Sequence, residues 1–155
     1  MTDKKETIIS LLRSTARPGM EAVIARLEPI GYFRAGCRGH HRYCGGMSDH
    51  ALEVLEYMTG HAPEGTPRES LIISALFHDL GKAVRRGGRY HFDHPARSLA
   101  VLDECGLELT RDERTAIGCH HSRNPRHRSC ALRNLLHSGD CWSTGRWKEA
   151  HPYGF

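Results

Sequence analysis

The stretch LIISALFHDLGKAV, residues 71–84, decides how this 155-residue chain is interpreted. Its apolar run from Leu71 to Phe77 is typical of a buried helix, but the run ends in His78 and Asp79. Burying an imidazole and a carboxylate is costly unless each group is hydrogen-bonded, paired with an opposite charge or bound to a metal ion. The stretch therefore predicts a core helix whose end carries polar groups inward, where hydrogen bonds, an opposite charge or a metal ion must satisfy them.

Length and composition favour one mildly basic domain. A chain of 155 residues can build a single hydrophobic core, and its formal net charge of +4 suits a small anionic substrate better than a nucleic acid. We find no apolar run long enough to span a membrane and no signal peptide, so we expect a cytoplasmic protein. The six cysteines form no CxxC pair and are expected to be free thiols.

The hydrophobic periodicity is helical along almost the whole chain, and no alternating strand pattern stands out. We therefore predict an all-α fold, one compact helical bundle over residues 1–155. Its core covers about residues 45–143, and N-terminal helices within residues 2–28 pack on that core. The tail 142–155 contains Gly and Pro, and we predict no helix for it. The other predicted helices cover about 48–59, 68–80, 95–105, a segment following the Thr110 cap, and 129–141.

Polar side chains recur at helical spacing on the apolar faces of five predicted helices. Residues three, four or seven positions apart share one face of a helix, so each polar group points with the core residues of its own helix. One such histidine is ordinarily a hydrogen-bonded core residue, but an unpaired cluster from five helices would be expensive in a low-dielectric interior. The groups, with their same-face neighbours, are His50 (Val54, Met58), His78 (Leu71, Ala75), Asp79 (Ile72, Leu76), His94 (Ser98, Val101), His120 (Ala116), His121 (Ile117) and Asp140 (Leu132, Leu136).

Divalent metal ions would satisfy such a cluster. Imidazole and carboxylate ligands suit the transition metals Fe, Mn, Co, Ni and Zn, and the carboxylates also tolerate Mg. No cysteine occupies these positions, which disfavours a structural zinc site built from thiolates. The residues alone therefore predict one or two metal ions as cofactors.

The order of these groups resembles the HD-domain superfamily of metal-dependent phosphohydrolases. GGMSDHALEVLEYM (45–58) is similar to the family's first-histidine helix, and ALFHDLGK (75–82) is similar to its doublet motif. HFDHPARSLAVL (91–102) is similar to the segment that supplies the next ligand. LLHSGDCWS (135–143) resembles the closing motif, with Gly139 where alanine is usual. The resemblance covers most of the chain, roughly residues 45–143, and implies a single HD domain.

The resemblance implies a site for two metal ions. In this assignment Asp79 bridges the ions and, with Lys82, takes part in catalysis through a metal-activated water. Alternatively, one of the two adjacent histidines, His120 or His121, contacts a metal ligand or the substrate rather than a metal ion. Carried over by position, the metal ligands are His50, His78, Asp79, His94, His120, His121 and Asp140.

Basic residues near the ligand segments are candidates to bind a substrate phosphate. Guanidinium groups can hold phosphate through two hydrogen bonds, and a lysine can neutralise its charge. For any one arginine, ordinary surface charge is the alternative interpretation. The candidate substrate-binding residues are Lys82, Arg85, Arg89 and Arg123.

Departures from the family pattern narrow the expected substrate. After His121 the chain reads SRNPRH rather than the Gly-Tyr-Pro signature of cyclic-dinucleotide phosphodiesterases, and Ser143 stands where several relatives have an acidic residue. HHRYCGGMSDHALEV (40–54) is most similar to exoribonuclease-type and small stand-alone HD hydrolases. We expect a phosphomonoesterase or phosphodiesterase that acts on a small phosphorylated molecule such as a nucleotide. Among nucleic acids, only a short oligonucleotide is expected as a substrate.

Two other functions fit the same residues. Some HD-fold proteins hold two iron ions and use O₂ to oxidise a small molecule, and the His/Asp set here is compatible with that chemistry. A non-catalytic module is the other alternative, with metal as a structural staple and the basic surface binding a nucleotide or a protein. The oligomeric state is left open.

Overall fold

The computed structural model describes residues 3–85, 87–88, 92–122 and 129–152, and every regular element within these ranges is helical. The predicted all-α fold is confirmed. None of the helices in the described part of the chain is both long and apolar enough to cross a membrane. The α-helices are α1 (Lys4–Ser14), α2 (Met20–Leu27), α3 (Gly46–His61), α4 (Arg68–Phe77), α5 (His94–Glu104), α6 (Arg111–Cys119) and α7 (Ala131–Ala150), and short 3-10 helices cover Tyr32–Arg34 and Leu80–Lys82.

Helix α4 forms the centre of the core. All of its residues from Ser70 to Phe77 are buried, which explains why the sequence there is apolar on every side. It packs against α1, α3, α6 and α7, while α5 packs on α6 and on the 3-10 turn that follows α4. The Tyr32 hydroxyl donates a hydrogen bond of 2.6 Å to the carbonyl of Leu76 and fixes the last turn of α4. The end of this helix is therefore held at the middle of the molecule.

The start of α6 follows the predicted capping box. The Thr110 hydroxyl accepts a hydrogen bond from the Glu113 N–H, and the Glu113 carboxylate accepts one from the Thr110 N–H. Glu113 is fully buried and also accepts hydrogen bonds from Arg17 and from Ser70. One carboxylate thus joins the connection between α1 and α2 to the beginnings of α4 and α6.

Helix α3 begins earlier than predicted. Its cap is Gly45, with φ of 84°, whereas the predicted helix starts at about residue 48. The Asp49 carboxylate accepts hydrogen bonds from Lys4 and Tyr43, so it is occupied away from the helix end. The left-handed backbone conformation suits glycine, so Gly45 can turn the chain into the helix without a capping side chain.

The prediction that the last helix ends at Cys141 was wrong, because α7 continues to Ala150. Aromatic packing accounts for the extension. Trp142 lies 5.5 Å from Tyr57 between ring centroids, and Trp147 lies 4.6 Å from His41 and 3.7 Å from His151. Packing of these rings stabilises a segment whose local sequence, with Gly145, favours a helix only weakly.

Candidate metal centre

The turn that ends α4 brings the His78–Asp79 doublet into the interior. Regular α-helix stops at Phe77, and the chain passes through the doublet into the 3-10 turn Leu80–Lys82. His78 is fully buried and Asp79 is 2% exposed. Because α4 is surrounded by other helices, the residues at its end are also enclosed, and their polar groups meet side chains from neighbouring elements.

The carboxylate of Asp79 lies at the meeting point of those side chains. Its Oδ1 is 3.2 Å from Nε2 of His94 and 3.7 Å from Nε2 of His120. Its Oδ2 is 3.7 Å from Nε2 of His50 and 2.5 Å from Nζ of Lys82. Burial alone would raise the pKa of Asp79, but the neighbouring imidazoles and the Lys82 ammonium hold it well below its ordinary value.

All seven predicted ligands come together, and they form two sets. Within each set one ligand atom from every residue lies within 4.8 Å of the others. Their elements are far apart in sequence, so the clustering is a property of the fold and not of local spacing. One set is Asp79, His94, His120 and His121, and the other is His50, His78 and Asp140.

Hydrogen bonds at Nδ1 determine which nitrogen of two buried histidines carries a proton. Nδ1 of His78 is 2.8 Å from the carbonyl oxygen of Ala75, and Nδ1 of His120 is 2.8 Å from the carbonyl oxygen of Ile117. A carbonyl only accepts, so both Nδ1 atoms carry hydrogen and donate. Burial lowers the pKa of His78 to about 3, which keeps its ring neutral near pH 7. Its Nε2 therefore presents a lone pair to the cluster.

His50 is oriented through a hydroxyl and a carboxylate. Nδ1 of His50 is 2.9 Å from Oγ of Ser143, and that hydroxyl is 2.7 Å from Oε2 of Glu53. The carboxylate accepts the one hydroxyl proton, so Oγ accepts from His50 and Nδ1 of His50 carries hydrogen. Ligating histidines generally have their second ring nitrogen fixed in this way.

The inward-facing atoms of the cluster are acceptors that face other acceptors. Nε2 of His50 lies 3.1 Å from Oδ1 of Asp140 and 3.3 Å from Nε2 of His78. Either an additional proton on His50 or a metal ion must lie between such atoms. Burial would raise the pKa of Asp140, but contact with His50 outweighs it and lowers the pKa below the usual range, so the group is a carboxylate ready to bind a cation.

Three buried atoms in the set around Asp79 find no hydrogen-bond partner among the described residues: Asp79 Oδ1, His94 Nε2 and His120 Nε2. Buried polar atoms are nearly always satisfied in native proteins. Carboxylate oxygens and imidazole nitrogens are atoms that bind metal ions, and these three atoms point toward the same space. The residues present therefore fit divalent cations, which would replace the missing contacts.

His94 is held near Asp79 by a serine on its own helix. Ser98 Oγ accepts a hydrogen bond of 2.8 Å from the Gly81 N–H, and it lies 3.1 Å from the carbonyl of His78 and 3.0 Å from that of His94. A side chain at Gly81 would overlap the His94 carbonyl oxygen, so the close approach of α5 to the doublet requires glycine there.

His121 differs from its prediction. Its register with Ile117 predicted an inward side chain, but α6 ends at Cys119 and the His121 side chain is 46% exposed. Beyond the helix end the register no longer applies. Nδ1 of His121 is still 3.6 Å from Oδ2 of Asp140, at the open edge of the cluster. Burial lowers its pKa to about 4, so its ring is neutral near pH 7.

His40 and His41 lie in the segment between the 3-10 helix Tyr32–Arg34 and α3, and both are buried. Nδ1 of His40 lies 3.0 Å from Nδ1 of His41, and Nε2 of His41 lies 3.3 Å from Oε2 of Glu53. With His50 they form a third group of nitrogens close enough for a metal ion. Both nitrogens of His41 have partners, and none of the described buried atoms that lack a hydrogen-bond partner belongs to these three histidines, so this group does not require a metal ion. The histidine doublet was visible in sequence, but a loop with His41 at φ of 43° has no periodicity that reveals burial.

Cys37 is another neighbour that the sequence did not place. Its Sγ lies 3.9 Å from Oδ2 of Asp79. Burial raises the pKa of this thiol to about 12, so it stays protonated at neutral pH and donates to the carboxylate. Described cysteines are all free thiols, as predicted.

The predicted substrate-binding residues have different positions. Lys82 pairs with Asp79 and is 21% exposed, whereas Arg85 is exposed to solvent. Arg89 and Arg123 lie outside the described residues. Two cavities adjoin the cluster, and Lys82 and Arg38 line both of them.

The chain matches no family model, no curated protein and no solved structure. Membership of the HD-domain superfamily therefore stays a prediction based on the motifs. The helical fold and the convergence of the His/Asp groups are seen directly in the structure.

Proposed function

We propose that this protein is a metal-dependent phosphohydrolase of the HD type that acts on a small phosphorylated molecule. The observation that supports it best is the convergence around Asp79 of buried atoms that lack a partner among the described residues, beside the closely facing ring nitrogens and carboxylate of His50, His78 and Asp140. These residues come from five separate parts of the fold. Such an arrangement is unfavourable in an apolar core unless cations bind there.

The residues divide naturally between two ions. His50, His78 and Asp140 would hold one ion, and His94, His120 and His121 would hold the other. Asp79 has one oxygen near each set, which suits a bridging carboxylate. Bound divalent ions would lower the pKa of a water molecule and withdraw charge from a phosphoryl group.

Lys82 is the residue of this chain best placed to assist hydrolysis. Its ammonium lies at 2.5 Å from Asp79 Oδ2 and also lines both cavities beside the cluster. Burial would lower the pKa of Lys82, but the Asp79 carboxylate outweighs burial and raises it, so the group stays cationic. A fixed cation at this position would attract a phosphate oxygen and orient the phosphoryl group over the cluster.

The cavity lining favours phosphate chemistry over the oxygenase alternative. Arg38 and Lys82 line both cavities, Arg85 lines one and Lys148 lines the other. Repeated cationic side chains suit an anionic phosphorylated substrate, whereas oxidation of a small molecule with O₂ does not require them. The ligand set itself does not distinguish the two chemistries.

The test combines metal analysis with activity. Protein purified without chelator and without oxygen is analysed for metal by mass spectrometry, and then assayed with p-nitrophenyl phosphate and nucleotides. We expect close to two metal ions per chain and metal-dependent phosphate release. Asp79→Asn should lose metal and activity together, while His61→Gln, on the same helix as His50 but outside the cluster, should keep both. Iron with O₂ consumption and no phosphate release would favour the oxygenase, and folded protein without metal affinity would refute the proposal.

A further inference from the structure

The first cavity beside the cluster, here called the arginine cavity, has a volume of about 530 Å³. Arg38, Lys82 and Arg85 line it, with Asp93 as its acidic residue. It reaches the cluster at His94. The volume falls within the range of about 300–1,000 Å³ that is typical of small-ligand pockets. Its charge suits an anionic group.

The second cavity, here called the α7 cavity, has a volume of about 440 Å³. It reaches the cluster at different ligands, His121 and Asp140. Its lining includes His40 and, from α7, Lys148. By size it can also hold a group of ligand dimensions.

Lys82 lines both cavities and also contacts the cluster. It lines each cavity and pairs with Asp79, so a phosphoryl group held at Lys82 has room on two sides. A phosphomonoester has one organic substituent and would leave one of these spaces unused. A phosphodiester has two substituents and would use both.

We infer that the preferred substrate is a phosphodiester whose internal phosphorus is cleaved at Lys82, with an anionic arm in the arginine cavity and the other arm in the α7 cavity. This inference rests on the proposed function and narrows it to one class of phosphate ester. In the reaction water adds to the internal phosphorus, and the bond from phosphorus to the leaving oxygen breaks. One water proton goes to the leaving oxygen, which becomes a hydroxyl, and the other is released as the new monoester ionises.

The thymidine dinucleotide with a 5′-phosphate tests this directly, because it carries one internal diester and one terminal monoester. Protein reconstituted with Mn²⁺ is incubated with it, and the products are separated by chromatography. Cleavage of the internal diester is the expected result: it gives two molecules of thymidine 5′-monophosphate if the 3′ oxygen leaves, or thymidine 3′,5′-bisphosphate and thymidine if the 5′ oxygen leaves. Cleavage of the terminal bond gives inorganic phosphate and the unphosphorylated dinucleotide, which would overturn the inference and leave the proposed function intact.

A parallel assay with p-nitrophenyl phosphate separates the remaining outcomes. If that monoester is hydrolysed and the dinucleotide is untouched, the diester inference is wrong and the proposed function stands. If neither is hydrolysed by folded, metal-loaded protein, the proposed function fails and the inference fails with it.

A charge variant tests the placement of the anionic arm. Arg85→Gln should raise KM for the 5′-phosphorylated dinucleotide by about fivefold, the size of one exposed ion pair, and should raise KM for the unphosphorylated dinucleotide by much less. Arg146→Gln is the matched control, because Arg146 is an exposed cation that packs on Trp142 and is not among the residues lining either cavity. Equal effects of Arg85→Gln on the two dinucleotides would refute the placement.

Discussion

Nδ1 of His50 and Oγ of Ser143 lie 2.9 Å apart, and the direction of this hydrogen bond is fixed by Glu53. Since Glu53 takes the hydroxyl proton of Ser143, the serine accepts from His50, and Nε2 is the nitrogen of His50 that faces the cluster. Ser143 and Glu53 together thus orient His50.

Removing the hydroxyl should weaken metal binding without unfolding the protein. We expect Ser143→Ala to reduce metal affinity about 10- to 100-fold, because His50 is then free to adopt the other tautomer or to rotate. Isothermal titration calorimetry with Mn²⁺ measures the affinity of each variant for the metal ion. Ser74→Ala is the matched control, since Ser74 is also a buried serine but its hydroxyl has no partner among the described residues. Equal affinities in the two variants would contradict this orienting role.

Substitution of Gly81 should disturb one set of ligands more than the other. A Cβ at residue 81 would overlap the carbonyl oxygen of His94 and would press on the Ser98 N–H, so Gly81→Ala should displace the start of α5. We expect loss of the ion held by His94 while the ion at His50 is retained, and metal analysis should fall from two ions toward one.

Gly60→Ala serves as the comparison for Gly81→Ala. Gly60 is exposed near the end of α3, and a Cβ there would meet no other atom. Replacing a helical glycine by alanine should stabilise the protein by about 0.4–1 kcal/mol in urea unfolding and leave the metal content unchanged. A Gly81→Ala protein that retains two ions would show that the close approach is not needed for the second ion.

Side-chain positions that are set by helical periodicity could be predicted from the sequence, and those that are set by the conformation of a loop or a helix end could not. The register of His50 and Asp140 placed them inward because α3 and α7 continue through these residues, and His78 keeps helical backbone angles as the cap of α4. Asp79 lies two residues past the end of α4 and is still buried, because neighbouring helices enclose the turn that follows. His121 lies equally far past the end of α6, but at the open edge of the cluster, so nearly half of its side chain is exposed. Such an ending depends on local backbone conformation, which apolar spacing does not encode.

Long-range contacts were also beyond the sequence. Burial of His40 and His41 depends on Glu53 from α3 and on Trp147 from the far end of α7, which lies 4.6 Å from His41 between ring centroids. Neither partner is near the doublet in sequence. The same packing explains why α7 extends beyond its predicted end.

The ion pair between Arg17 and Glu113 should make stability depend on pH in acid. Burial would raise the pKa of Glu113, but hydrogen bonds from Arg17 and Ser70 outweigh it and lower the pKa below the ordinary value. A carboxyl whose pKa is lower in the folded than in the unfolded state stabilises the fold above the unfolded pKa, about 4.3. This contribution is lost progressively as the pH falls below that value through the folded pKa.

Urea unfolding of wild type and Glu113→Gln between pH 3 and pH 7 measures this contribution. The difference in unfolding free energy between the two proteins should be constant above about pH 5 and should shrink at lower pH. Arg17→Met should cost about 3–5 kcal/mol at pH 7, because it leaves a fully buried carboxylate without its cation. A pH-independent difference would mean that Glu113 is protonated in the fold or that its charge is compensated elsewhere.

Chelation should lower the stability of the protein if ions fill the cluster. A ligand that binds only the folded state stabilises it by about 2.7 kcal/mol when its free concentration is 100 times its Kd. We therefore expect EDTA to lower Tm and Mn²⁺ to restore it, as measured by calorimetry. In Asp79→Asn the Tm values with EDTA and with Mn²⁺ should coincide, because a carboxylate with one oxygen beside each ligand set is gone. His61→Gln should respond to EDTA as wild type does, and a response that persists in Asp79→Asn would place the stabilising ion elsewhere on the chain.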